Sequence, residues 1–232
     1  MRYIKQLIEK IHLLLLRLKN PSYISYYRAV MDYRAKKDPK QAIGGKWDEM
    51  GVHQLDFLKL HGLQPTHTLL DIGCGSLRGG LHFIEYLNTG NYTGMEISSE
   101  LLRVGKTFLK DKNLEKKLPN LLLTTDLKFN EFEKKFDYLN AQSVLSHMPV
   151  EDITEMFKNL HKIMHERSIF IATYKEVKEG KDGYHSSVSE LNFHYPLEQL
   201  QSIAKEYGFD AEKIQDEKIQ RTQSILKIRK VR

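Results

Sequence analysis

Cysteine is nearly absent from this sequence. Its 232 residues include one, Cys74, so no disulfide can form within the chain. Nothing in it resembles the charged, apolar and small-residue succession of a secretory signal, and the two absences together make the cytoplasm the expected compartment. Long apolar runs are missing as well. The longest in the N-terminal segment is Leu13 to Leu16, far short of the ~20 residues a membrane-spanning helix needs. Internal repeats and low-complexity stretches are also lacking, which excludes solenoids and structureless linkers.

What is there is the composition of a folded protein: 41% hydrophobic, 28% charged and 10% aromatic residues. That is enough apolar material for a core and too many aromatics for a disordered chain. At this length one domain with an extension is expected. The formal charge of +6 is unevenly placed, because residues 1–46 hold 11 Lys and Arg against 3 Asp and Glu, a net of +8, which leaves −2 for the remaining 186. The basic character belongs to the N-terminal segment, and overall charge says little about a nucleic-acid-reading face on the rest.

Residues 3–19 repeat apolar positions at helical spacing (Ile4, Leu7, Ile8, Ile11, Leu14, Leu15, Leu18) with Lys5, Lys10, Arg17 and Lys19 interleaved. The spacing predicts an amphipathic helix that Asn20 and Pro21 stop. A second short helix carries Tyr23, Tyr26, Tyr27 and Tyr33. Residues 1–46 therefore read as a basic helical extension or lid, and residues 47–232 as the main domain. Within the latter the pattern alternates. Strands are predicted in TLLDIG and at 92–96, 120–126, 136–141 and 168–174, then near Lys213 and in SILKIRK. Helices are predicted near 48–61, in LRGGLHFIEYL, from Ser99 to about Lys110, and over 150–164 and 196–207. This alternation predicts an α/β fold, Rossmann-like and doubly wound, with a mostly parallel seven-stranded sheet and an antiparallel edge from the last pair.

The stretch LLDIGCGSLRGG, residues 69–80, ends an apolar run in an acid and follows it with Gly73 and Gly75. Ligands of open parallel sheets bind beyond the carboxyl ends of the strands, so these glycines mark a place where something approaches the backbone. A dinucleotide fingerprint would need a third glycine where Arg78 stands, and no Gly-Lys-Ser/Thr follows the turn, so ATP and GTP are disfavoured. What remains, acid-x-Gly-x-Gly, resembles the first motif of class I S-adenosylmethionine-dependent methyltransferases. The resemblance spans roughly residues 42–229. Glu96 in YTGMEIS stands where that family has the acid that accepts from the ribose hydroxyls, with Ile97 after it; vicinal hydroxyls are paired donors, which suit an acceptor-only carboxylate. Asp126 and Leu127 resemble the adenine-binding step, and FDYLNAQSVLSHMP resembles the fourth motif, with Gln142 at a variable position. The usual third glycine is replaced by Leu77. A differently shaped turn is expected for that reason, with Arg78 near the cofactor carboxylate.

The resemblance implies S-adenosylmethionine as cofactor and implies Asp71, Gly73, Gly75, Arg78, Glu96, Ile97, Asp126, Leu127 and Gln142 as its contacts. It also implies methyl transfer, in which the protein aligns a nucleophile and a base takes its proton. His147 is the candidate base, since its unperturbed pKa is near neutral and it follows the fourth strand. In FDYLNAQSVLSH it is similar to the catalytic histidine of phosphoethanolamine N-methyltransferases. IGG at 43–45 is similar to their Ser-Gly-Gly turn, which implies a cofactor contact for Gly44. Their N-terminal lid tyrosine has possible counterparts in Tyr23, Tyr26, Tyr27 and Tyr33, with Tyr27 favoured. Tyr174, Tyr184, His185, His194 and Tyr195 are candidates for an acceptor pocket, and Arg28, Arg34 or Lys175 would suit a phosphate on the acceptor.

Other features count against alternatives. His161 and His165 have i, i+4 spacing but no third ligand in view, so no metal is expected. No Cys-Pro nucleophile and no Asn/Asp-Pro-Pro-aromatic motif is present, which disfavours a nucleobase acceptor. The expected function is methylation of nitrogen or oxygen on a small polar acceptor, such as a phosphorylated amine or a sugar or glycan precursor. An RNA methyltransferase and a non-catalytic cofactor-binding module are the alternatives. The N-terminal helix is expected either to pack, on the body or on a second subunit in a homodimer, or to lie on the inner face of a membrane.

Overall fold

The computed structural model describes residues 2–177, 191–216 and 223–231. Two helices come first, α1 (Arg2–Lys19) and α2 (Tyr23–Lys37), followed by the short α3 (Pro39–Ala42) and α4 (Trp47–Leu60). The alternating body is β1 (Leu69–Ile72), α5 (Gly80–Tyr86), β2 (Tyr92–Glu96), α6 (Ser99–Asp111), β3 (Asn120–Leu123) and β4 (Phe136–Ala141), then α7 (Val150–Asn159), β5 (Met164–Tyr174), α8 (Leu197–Glu206), β6 (Phe209–Ile214) and β7 (Ser224–Lys230).

The strands form one seven-stranded sheet in the order β3-β2-β1-β4-β5-β7-β6. The first five run parallel, and β7 enters between β5 and β6, antiparallel to both. The order turns back on itself at β1, with β2 on one side and β4 on the other. That is the switch point beyond which a crevice opens.

Alternation along each strand sends successive side chains to opposite faces. Leu70 and Ile72 of β1 join Leu139, Phe170 and Ala172 beneath Met156 and Phe157 of α7 and Leu200 and Ala204 of α8. Leu69 joins Ile171 and Ile225 beneath Phe57 and Leu58 of α4, Phe83 and Ile84 of α5, and Leu102 of α6. Every residue of β1 and β2 is buried, as a parallel sheet covered on both faces requires.

Several element limits differ from the sequence pattern, and two of them bear on the sheet. The helix predicted to reach 164 stops at Asn159, and a single 3-10 turn leads to β5, which starts at Met164. Met164 pairs with Phe136, so the sheet claims residues whose apolar spacing also suits a helix. β3 ends at Leu123 rather than 126, and as an edge strand it is half-exposed.

α2 is fastened to the body. Asp32 accepts from Ser98 Oγ and from the Glu100 N–H, adding its carboxylate to the N-terminus of α6, where Ser98 is already the cap.

Candidate active site

The carboxyl ends of β1, β2 and β4 open into a cavity of about 450 Å³. Its wall takes Gly73 and Gly75 from the turn after β1, Glu96 and Ile97 from the end of β2, Thr124, Thr125 and Leu127 after β3, and Gln142, Ser143 and His147 after β4. α2 and the segment after it cover the mouth with Tyr23, Tyr27, Arg34 and Gly44. Twelve of the sequence candidates thus meet here: Tyr23, Tyr27, Arg34, Gly44, Gly73, Gly75, Glu96, Ile97, Leu127, Gln142, His147 and Lys175.

The glycine turn works by backbone geometry. Gly73 and Gly75 have φ of 68° and 58°, the left-handed region, and a Cβ on Gly73 would stand 2.7 Å from Val144 Cγ2. Leu77, where a third glycine was the familiar residue, also takes a left-handed φ of 69° and is fully buried. The side chain is accommodated in a glycine-like backbone conformation.

Glu96 is the buried carboxylate of the wall. Its Oε2 accepts from Gly75 N–H at 2.9 Å, and its Oε1 accepts from Ile97 and Ser98 N–H at 2.8 Å each. Burial pushes its pKa up while those three donors pull it down. A carboxylate offers about four acceptor positions, so one on Oε2 is left for a hydroxyl in the cavity.

Asp71, Arg78 and Asp126 do not line this cavity. Asp71 faces a smaller pocket behind the glycine turn, where it accepts from Tyr92 Oη at 2.8 Å and Asn140 Nδ2 at 2.7 Å. Burial pushes its pKa up to about 6, opposed by those two hydrogen bonds and by the Arg78 charge. Arg78 lines the same small pocket and donates to the carbonyls of Ile43 (2.9 Å) and Gly45 (3.1 Å). Its guanidinium clasps the IGG turn against the glycine turn instead of projecting into the large cavity. Asp126 Oδ1 accepts from Lys128 N–H in a local turn, because β3 ends before it reaches this residue.

His147 sits in a 3-10 turn after β4. Its Nδ1 lies 2.5 Å from the Leu191 carbonyl. A carbonyl only accepts, so Nδ1 carries the proton and Nε2 keeps the lone pair. Burial lowers the pKa of His147, the Leu191 carbonyl opposes that, and the charges of Lys175 and Arg34 lower it further. The Tyr27 ring stands 5.5 Å from the His147 ring, and Tyr23 Oη donates to the His147 carbonyl at 2.8 Å. Burial is the first cause that raises both tyrosine pKa values, so both hydroxyls stay protonated near neutral pH.

Several candidates lie elsewhere. Tyr26 packs in a cluster with Val30 and Leu191, Tyr33 stacks on His12, and Arg28 is exposed. Tyr174 and Tyr195 are core residues at 0% and 1% exposure, spent on packing against the sheet. His194 is exposed, while Tyr184 and His185 lie outside the described residues. His161 approaches the Lys158 carbonyl and His165 the Asp137 carboxylate. Sequence reasoning missed the Leu191 carbonyl and Asp32. No local signal marks either, since each acts across more than 40 residues.

Residues 70–170 match the family model described as a methyltransferase domain. An uncharacterised protein of Rickettsia prowazekii (strain Madrid E) is 29% identical over 120 residues, covering 50% of this chain and 47% of that one. The match thus spans about half of each protein. Among solved structures, magnesium protoporphyrin IX methyltransferase from Synechocystis PCC 6803, crystallised with S-adenosylmethionine, superposes with a TM-score of 0.66 at 14% identity, over 90% of this chain and 97% of that one. A glycopeptide N-methyltransferase complexed with the same molecule gives 0.61 at 10% identity, over 78% and 94%. Residues 70–170 thus match a methyltransferase domain, and the chain has the fold of the S-adenosylmethionine-dependent methyltransferases on which it superposes.

Proposed function

We propose that this protein transfers a methyl group from S-adenosylmethionine to a nitrogen or oxygen of a small polar acceptor, with His147 as the base. The carrying observation is the pairing, in one cavity, of a buried acceptor-only carboxylate, Glu96, with a histidine whose tautomer leaves Nε2 unprotonated. The wall fits the cofactor. Glu96 Oε2 has room for a ribose hydroxyl, Leu127 and Thr125 offer a face to adenine, and the Gly73–Gly75 turn presents backbone without side chains.

S-adenosylmethionine, held by this wall, would supply a methyl on a positively charged sulfur that can leave with the bonding electron pair when the acceptor's lone pair bonds to the methyl. Nε2 of His147 receives the proton that the acceptor atom gives up. Tyr23 holds the backbone of that residue, Leu191 holds its ring, and Tyr27 closes over it and excludes water. Arg34 and Lys175 line the same cavity. Lys175 is anchored on Asn192 Oδ1 at 2.8 Å, and Arg34 has no ion-pair partner among the described residues. With Glu96 assigned to the cofactor, these two cations face one further carboxylate of the lining, Asp152, and suit an acceptor that bears an anionic group such as a phosphate.

Calorimetric titration with S-adenosylmethionine tests the first half. Saturable binding that Glu96→Ala weakens on the order of tenfold to a hundredfold is expected, the size of a lost hydrogen bond to a charged group. Absence of binding by folded protein would end the proposal. Methyl transfer to a panel of phosphorylated amines and sugars, compared with their unphosphorylated forms, tests the second half. Preference for the unphosphorylated forms would remove the anionic acceptor and leave the methyltransferase reading standing.

A further inference from the structure

α1 turns its apolar face away from the rest of the chain. Leu13 and Leu16 join Tyr26, Val30 and Leu191 in a small cluster, and His12 stacks on Tyr33 with ring centroids 3.9 Å apart. These contacts occupy one side of the helix. On the other side Leu7, Ile8, Ile11, Leu14, Leu15 and Leu18 are 49% to 73% exposed. At 3.6 residues per turn these six fall within an arc of about 120°. Exposed apolar side chains in a contiguous stripe of this kind mark a surface that something covers.

The charges along its edges say what covers it. Lys10 and Arg17 fall on one edge of the arc and Lys19 on the other, while Glu9, the one acid of the helix, falls opposite. A seam between two copies of a helix is flanked by charges of both signs that pair across it. Here both edges are cationic, so a second copy would bring like charges together. Anionic headgroups would meet the same cations favourably while the leucines enter the acyl boundary, with the lysine stems long enough to reach back to the headgroups. No helix among the described residues is long and apolar enough to cross a membrane.

We infer that α1 docks the protein on an anionic lipid surface, lying in the plane of the interface. The inference does not depend on the catalytic reading. It does place the membrane contact next to the site, because Leu13 and Leu16 pack in the cluster of Leu191, whose carbonyl holds His147.

Co-sedimentation of the full chain with phosphatidylcholine vesicles, with and without phosphatidylglycerol, tests it alongside sedimentation velocity without lipid. Binding only to the vesicles containing phosphatidylglycerol is expected, with release at high salt. Lys10→Gln and Lys19→Gln should each weaken it about fivefold, and Leu14→Glu with Leu18→Glu should abolish it. None of the four positions lines the cavity, so unchanged titration with S-adenosylmethionine shows that the variants remain folded. Absence of vesicle binding by folded protein overturns the inference, as does equal binding to neutral vesicles. A dimer that Leu14→Glu with Leu18→Glu disperses, without vesicle binding, assigns the face to a second copy instead.

Discussion

Leu77 holds a left-handed backbone, which costs a residue with a Cβ roughly 1–2 kcal/mol, yet its side chain is fully buried between Gly80 and Gly105. The two effects can be separated by substitution. Leu77→Ala should destabilise by about 2–4 kcal/mol through the cavity it leaves. Leu77→Gly should destabilise less than Leu77→Ala, because glycine relieves the strain; denaturant unfolding of both variants checks the order. The usual order, with glycine about 0.5–1 kcal/mol worse than alanine, would mean the backbone is not strained. His147 gives a pH prediction. Its folded pKa lies below the ordinary 6.5, so the imidazole is neutral at pH 7, the form the proposed role as base requires, and proton loading on the acid side removes that form. The acid limb of kcat/KM should therefore have its midpoint below 6.5. His147→Ala should abolish that limb and lower kcat by about 10²–10⁴, with affinity for S-adenosylmethionine unchanged. The same shift favours folding at higher pH: the unfolded state binds more protons at His147 between the folded pKa and 6.5, so this contribution is lost as pH falls through that window.

Between elements, α2 behaves as a fixed cover. Its Asp32 carboxylate takes the Ser98 hydroxyl and the Glu100 N–H at the start of α6, so α2 adds to the cap of α6. Asp32→Ala should cost about 1–2 kcal/mol. Amide exchange over residues 23–37 should accelerate while exchange in β1 and β4 stays slow; equal acceleration in both would mean that α2 and the sheet unfold together. Periodicity alone set most element limits well: β2 and β4 occupy the stretches their apolar patterns mark. It erred at residues 160–164, where Leu160, Ile163 and Met164 continue a helical stripe but Met164 pairs with Phe136 across the sheet. A local pattern cannot report which of two compatible periods a distant strand will select.

For the whole molecule, the two clusters on the faces of the sheet contain none of the described side chains of α1. Removal of residues 1–20 should therefore leave the unfolding midpoint of the body in place, followed through Trp47, which packs edge-on against Phe108. Binding of S-adenosylmethionine should persist and vesicle binding should be lost. A fall in the midpoint as large as that of a core deletion, about 2–5 kcal/mol, would show that α1 is part of the fold rather than an appendage to it.

The sequence by itself determined the α/β alternation, the Gly73–Gly75 turn at the end of a buried strand, and the acid at the end of the next. These are properties of consecutive residues: the period of apolar side chains, the reach of a turn, an acceptor where donors will come. It also marked His147 and the tyrosines of α2, although not that Tyr23 would hold the histidine's backbone while Tyr27 faces its ring. Tertiary structure alone decided that Asp71 and Arg78 brace the turn from behind, that Leu191 sets the tautomer of His147, and that α1 packs through Leu13 and Leu16 with its wider apolar face outward. Each of those depends on which surfaces meet, and a helix with apolar residues on two sides carries no local instruction about which side the chain will cover.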